Sequence, residues 1–320
     1  MTDEVVVETG ARLHFGLLAH SPEIPRRFGG AGVMISGIGF RLRAAAASAD
    51  EVIGEMATAE RVRRFVADYR ESSGTVRQPP PCRISIEQVI PPHAGFGSGT
   101  QLGLAVARTL ARLAGETDVP AVQLAARVGR GLRSGLGVHG FEQGGFLIDG
   151  GKSAEDAVAP LVARTDFPTD WRFVLVTPTD DSGLSGAAER KAFAELTGMP
   201  TTTTDRLCRI LLLQMLPAII EVDFETCCAA IYEFGGIVGE YFSSVQGGIF
   251  ASPAIRELAT KIRAGGFTGV GQTSWGPTLF VLCRSQDHAD RLCHELRDSS
   301  TEQRIRICCV EPRNVGAVAH

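Results

Sequence analysis

Apolar and polar positions along the chain divide it into short periodic runs separated by glycine- and proline-rich breaks. Residues 4–18 alternate, which predicts a strand, a turn at Gly10 and a second short strand. Within the second run, Arg12 and His14 share one face, opposite Leu13 and Phe15. Ser21–Gly37 reads as a loop, and Phe40–Ser48 as strand-like. From Ala59 to Arg70 the apolar period lengthens to that of a helix, with Val62, Phe65, Val66 and Tyr69 inward and the arginines on a solvated face. Arg83–Ile90 is a strand running into Pro91–Gly115, where Gly95, Gly97 and Gly99 alternate with Phe96, Ser98 and Thr100. From Gln101 the helical period returns through Leu102, Val106, Leu110 and Leu113. A second helix is expected over 119–130, then a strand in Phe146–Gly151.

Beyond a polar stretch from Lys152 to Asp170, Trp171–Pro178 begins a new strand. This break places a domain boundary near residue 165, giving 1–165 and 166–320. A helix after residue 185, a mostly helical stretch from Arg206 to Tyr241, and a glycine loop over 269–276 follow. A buried strand, an amphipathic helix from Asp287 to Asp298 and a last strand ending near Pro312 complete the pattern. Strands mixed with buried helices in this way indicate an α+β fold.

The net charge of −4, with no basic cluster, argues against nucleic acid as the main partner. The N-terminus lacks the positive charge and apolar run of a signal peptide, and no apolar stretch reaches the roughly 18 residues of a membrane span. The eight cysteines show no CxxC or Cys/His metal spacing, so they are expected to be reduced, buried thiols in a cytoplasmic protein.

The candidate chemistry lies in the glycine-rich breaks. A loop whose glycines bring backbone N–H groups to a helix N-terminus suits an anion, so Gly95, Gly97, Ser98, Gly99, Thr100 and Gln101 are candidate phosphate ligands. The loop is neither a P-loop nor a dinucleotide fingerprint, since no Lys-Ser/Thr pair closes it and its spacing differs. Gly129–Gly151 holds Arg130, Arg133, Ser134, His139, Glu142 and Asp149 among nine glycines, more than folding alone requires. Arg26 and Arg27, beside Gly29 and Gly30, could clamp an anion bidentately. Asp180 and Asp181 could hold Mg²⁺ through oxygen.

Three segments, ETGARLHFGLL, PPHAGFGSGTQ and VGQTSWGPTLF, resemble the motifs of the GHMP superfamily of small-molecule kinases in order and spacing. The resemblance implies a two-domain α+β fold, ribosomal-S5-domain-2-like at the N-terminus and ferredoxin-like at the C-terminus. GRGLRSGLGVHGFEQGGFLIDGG and GLSGAAER further resemble the β-ribofuranosylaminobenzene 5′-phosphate synthase family within it. Two departures separate the chain from the kinases. The second glycine segment reads GLGVHGFEQGG, with no Asp before Asp149, and the loop ends in Ser98-Gly99-Thr100-Gln101.

The resemblance implies a pentosyltransferase that joins phosphoribosyl pyrophosphate to 4-aminobenzoate or 4-hydroxybenzoate, releasing pyrophosphate and CO₂, on the way to tetrahydromethanopterin. It further implies Mg²⁺, no ATP, and a homodimer. The expected roles follow from that chemistry. Residues 95–101 would hold the pyrophosphate, Arg12 and Arg133 would clamp phosphate or carboxylate, Ser134 would donate to an anion, and Glu142 would order Mg²⁺ or an arginine. An ATP-dependent kinase and a non-catalytic phosphate-metabolite binder are the alternatives.

Overall fold

The computed structural model describes residues 4–21, 24–72, 77–154, 156–179, 191–193, 195–273, 276–299 and 305–320. In chain order the first part contributes β1 (Val5–Glu8), β2 (Ala11–Leu17), β3 (Gly30–Ile35), β4 (Arg41–Ala46), β5 (Glu51–Ile53) and α1 (Met56–Ser72). β6 (Cys82–Gln88), α2 (Ser98–Leu113), α3 (Ala121–Arg127), α4 (Leu136–Gln143), β7 (Phe146–Asp149) and β8 (Leu161–Thr165) follow. The second part supplies β9 (Arg172–Pro178), α5 (Thr201–Ile210), α6 (Leu216–Ile220), α7 (Phe224–Gln246), α8 (Pro253–Ala264) and β10 (Val270–Gln272). It closes with β11 (Leu279–Cys283), α9 (Gln286–Ser299), β12 (Ile305–Val310) and β13 (Val318–Ala319).

Three sheets result, in the orders β13-β1-β4-β6-β5, β2-β3-β7-β8 and β10-β11-β9-β12. The last is antiparallel with helices on the β9–β10 and β11–β12 connections, a ferredoxin-like βαββαβ arrangement. β13 returns to pair with β1, so the chain's final residues belong to the first sheet. One apolar core runs from Val7 and Leu13 through α2 (Leu102, Val106, Leu110) to Phe234 on α7 and Phe280 on β11.

Three sequence expectations change. Gly30–Ile35, expected as loop, is a fully buried strand between β2 and β7. Its glycines permit the close pairing, since a Cβ at Gly30 would lie 2.7 Å from the Gly16 carbonyl oxygen. The helix expected over 206–241 is interrupted. A π-helical turn at Leu211–Met215 lies just before Pro217, which has no N–H to give, and a new helix starts where Asp223 accepts from the Thr226 N–H. The Gly129–Gly151 segment contains α4, whose first turn is held from afar. The Asp149 carboxylate, buried on β7, accepts from the Gly135 and Leu136 N–H groups. Five of the eight thiols are buried, whereas Cys208, Cys308 and Cys309 are half-buried; burial pushes Cys228 up to about 12. Among the described residues no helix is long and apolar enough to cross a membrane.

Candidate functional site

β2 is the strip on which the site is laid. Its pairing with β3 slips at Phe15, between His14 and Gly16, so that a bulge turns consecutive residues toward one space. Gly16 sits there at φ +150°, and a Cβ would strike Val238 of α7 at 2.7 Å. The strand is tied to both other glycine segments. The Arg12 N–H donates to the Phe96 carbonyl at 3.2 Å, and the His14 N–H to Thr273 Oγ1 at 3.0 Å. Thr273 Oγ1 in turn donates to the Gly95 carbonyl at 3.0 Å. The three motifs separated in sequence thus meet through backbone and hydroxyl bonds.

The glycine loop leads into α2 through Gly97, which caps the helix in the left-handed region at φ 72°. The Arg12 side chain lies directly over it: a Cβ at Gly97 would be 2.7 Å from Arg12 Nε. The Thr100 and Gln101 N–H groups donate to the Gly97 carbonyl, whereas those of Ser98 and Gly99 have no helical partner and carry the positive end of the dipole. Around this end the structure gathers three cations. A Cβ at Gly99 would lie 3.8 Å from Arg130 Nη1 and 4.0 Å from Arg61 Nη2. Burial, then the charges of Arg64 and Arg61, lowers the pKa of Arg130; burial, then Arg64, lowers that of Arg61. The Arg130 guanidinium is 4.8 Å from the Phe65 ring centre and its buried Nε has no hydrogen-bond partner. Among the described residues no carboxylate forms an ion pair with Arg61, Arg64 or Arg130. Asp68 acts on Arg130 in the opposite sense, but more weakly than burial and the neighbouring arginines, so these gathered, partly dehydrated guanidiniums favour an anion beside them.

From this end a cavity of about 870 Å³ extends toward the second half of the chain. Thr100, Arg130 and Arg133 line it, as do Arg12, His14 and Phe15. Its far wall is aromatic. Phe193 packs edge-on against Phe28 at 5.9 Å and Phe242 at 6.0 Å, and the Arg133 guanidinium lies 5.0 Å from the Phe193 ring centre. Cationic groups beside aromatic walls suit a flat anion better than an alkyl chain. His14 is buried to 9% exposure in this cavity. Burial first, then Arg12 and Arg133, holds its imidazole well below the usual range, so it stays neutral.

The structure therefore brings Arg12, Arg133, Gly95, Gly97, Ser98, Gly99 and Thr100 to one place and turns other candidates away. Gln101 is fully buried, its Nε2 donating to the Gly137 carbonyl, because its position on α2 faces α4 rather than the loop. Ser134 borders the cavity, but its hydroxyl donates to Asp149 Oδ2 at 2.7 Å and is not available to an anion. Glu142 lies outside the cavity, accepting from the Ala121 N–H at the start of α3 and facing Arg108 at 3.5 Å. Arg26 pairs with Asp156 on the exposed surface and Arg27 bridges Lys152; neither lines the cavity. His139 bonds the Ala159 carbonyl, a structural position. Asp180, Asp181, Ser274 and Trp275 lie outside the described residues. Sequence reasoning placed the α1 arginines on a solvated face. The signal that could have found them was their register: Arg61 and Arg64 are three apart on one edge of α1, which a neighbouring anion site can use.

Comparison with known proteins agrees with this layout. The family profiles described as GHMP kinases N terminal domain and GHMP kinases C terminal match residues 58–145 and 215–300. The chain is similar to β-ribofuranosylphenol 5′-phosphate synthase of Methanothermobacter thermautotrophicus, 31% identical over 309 residues, 88% of this chain and 89% of that one. It is also similar to the protein of that name from Archaeoglobus fulgidus, 29% identical over 327 residues and 97% of each chain. Among solved structures, mevalonate diphosphate decarboxylase from Staphylococcus aureus superposes with a TM-score of 0.70 at 13% identity, covering 100% of this chain and 98% of that one. Homoserine kinase from Cytophaga hutchinsonii does so with a TM-score of 0.65 at 12% identity, covering 100% and 98%. These two likenesses establish the two-domain α+β GHMP fold. The chain belongs to the β-ribofuranosylphenol 5′-phosphate synthase family of the GHMP superfamily.

Proposed function

We propose that this enzyme condenses phosphoribosyl pyrophosphate with 4-hydroxybenzoate, releasing pyrophosphate and CO₂ and forming a C-riboside 5′-phosphate for tetrahydromethanopterin synthesis. The observation that carries the reading is the pairing of an arginine cluster at the glycine loop with an arginine-edged aromatic cavity beside it. A polyphosphate donor and an aromatic acid need those two environments side by side. The phenol in the relatives' name favours the hydroxy acid over the amino acid.

Departure of pyrophosphate from ribose C1 leaves an oxocarbenium-like centre. The protein's task is to stabilise the leaving negative charge, which the α2 N–H groups with Arg61, Arg64 and Arg130 are placed to do. The ring carbon bearing the carboxylate then attacks, held in place by Arg12 or Arg133 on that carboxylate. Loss of CO₂ restores aromaticity. The described residues do not provide a carboxylate set for Mg²⁺, since no group of three or more His, Cys, Asp or Glu could hold a metal. Magnesium would accompany the pyrophosphate as its counter-ion, and Asp180 and Asp181, outside the described residues, remain the sequence candidates for holding it. A homodimer and a cytoplasmic location complete the proposal.

The test is incubation with phosphoribosyl pyrophosphate, Mg²⁺ and carboxyl-labelled 4-hydroxybenzoate. We expect labelled CO₂ and pyrophosphate in equal amounts, each dependent on both substrates. ADP formation from ATP with a small alcohol, and no CO₂, would replace the synthase by a kinase.

A further inference from the structure

His14 occupies a position that binding of anions does not explain. It is nine-tenths buried and borders the cavity with Arg12 and Arg133, the charged groups that act on it. Among the described residues its backbone N–H donates to Thr273, and nothing bonds the ring. The opposite strand makes room for that ring. A Cβ at Gly30 would lie 3.2 Å from His14 Nε2. The bulge at Phe15 and the Thr273 bond fix the strand on which the ring is carried. Other acceptors line the cavity on α7 (Glu233, Glu240, Gln246), but beside Arg12 and Arg133, which only donate, His14 is the neutral acceptor on β2. A carboxylate or phosphate does not need an acceptor; a hydroxyl does.

We propose that His14 is a catalytic residue that takes the proton of the aromatic substrate's 4-hydroxyl while the new carbon–carbon bond forms. The proposal rests on the synthase reading above. The balance is complete without any further reagent. The ring carbon bearing the carboxylate bonds to ribose C1, and the C1–O pair leaves with pyrophosphate. The hydroxyl proton passes to a ring nitrogen of His14, so addition gives a neutral dienone rather than an oxygen-protonated cation. When CO₂ leaves, the pair of the C–CO₂ bond returns to the ring, the oxygen becomes a phenolate, and the proton on His14 goes back to it. A neutral imidazole is needed at the start, and the flanking arginines, which favour the neutral form, also sit where the substrate carboxylate binds.

The experiment compares 4-hydroxybenzoate with 3,5-difluoro-4-hydroxybenzoate, whose hydroxyl is far more acidic and ionises without help. CO₂ release is measured for wild-type enzyme, His14→Gln and His14→Phe, the last keeping a ring of similar shape that cannot accept a proton. With 4-hydroxybenzoate, His14→Gln should lose about a hundredfold in kcat, in line with general-base contributions of ~10²–10⁴. With the difluoro acid the loss should be only a few-fold, and His14→Phe should show the same ordering. Equal losses on both acids in both variants would make His14 structural and overturn the proposal. Unchanged activity of His14→Gln on 4-hydroxybenzoate would also overturn it. Wild-type enzyme that releases no CO₂ from either acid would instead remove the synthase reading itself. Retained pyrophosphate binding by each variant shows that its site has folded.

Discussion

At the scale of single residues, chemistry here depends on which neighbour a side chain meets, and that decides how much could be read beforehand. Arg12 was singled out because it shares one face of an otherwise apolar strand with His14, and it lies over Gly97. Ser134, Glu142 and Gln101 carry equally suitable groups, yet each is committed to backbone or to Asp149. Residue type and spacing cannot separate a ligand from a brace, because both use the same donors and acceptors. His14 gives a prediction at this scale. Its folded pKa lies below the ordinary histidine value of 6.5, so between the two values the unfolded chain binds more protons than the folded one. Its contribution to stability is therefore present above about pH 6.5 and is lost as the pH falls toward the folded value. Melting temperature should drop from pH 7.5 to pH 5.5, and His14→Gln should lessen that drop. His20 and His288 are shifted the same way and will keep part of it. An identical pH profile in the variant would show that His14 is not held neutral.

At the scale of elements, periodic segments were the legible ones. α2 announced itself through Leu102, Val106 and Leu110, and its glycine entry through alternation with Phe96 and Ser98. β3 did not, because Gly30, Gly32 and the preceding prolines and arginines look like a turn; its glycines serve close strand pairing instead. α4 was hidden by five neighbouring glycines, and its stability comes from outside its own sequence. Asp149 gathers the N–H groups of Gly135, Leu136 and Gly151 with the Ser134 hydroxyl, all at 2.7–3.2 Å. Asp149→Ala removes that acceptor from three buried N–H groups. Each lost bond to a buried donor costs about 1–3 kcal/mol, partly offset by relaxation, so a loss of ~3 kcal/mol is expected in urea unfolding. A loss below about 1 kcal/mol would mean that α4 holds its first turn without β7.

At the scale of the molecule, a net charge of −4 conceals the feature that matters most. Arg61 and Arg64 come from α1, Arg130 from the turn after α3, and the free N–H groups from α2. No window of sequence contains this cluster, and total charge argues against it. It exists because α1 packs beside α2 through Phe65, whose ring also carries Arg130. The fold class and the glycine loop were readable from motifs, whereas the arginine cluster at the head of α2 was not. A multivalent anion held by several guanidiniums should bind less tightly as salt rises, since the site is partly open to solvent. The most direct test is calorimetric titration of inorganic pyrophosphate into wild-type enzyme, Arg61→Gln and Arg130→Gln at low ionic strength. Each substitution should weaken binding at least tenfold, about 1.4 kcal/mol, with a shallower salt dependence than wild type. Unchanged affinity in both variants would place the pyrophosphate elsewhere and contradict the account.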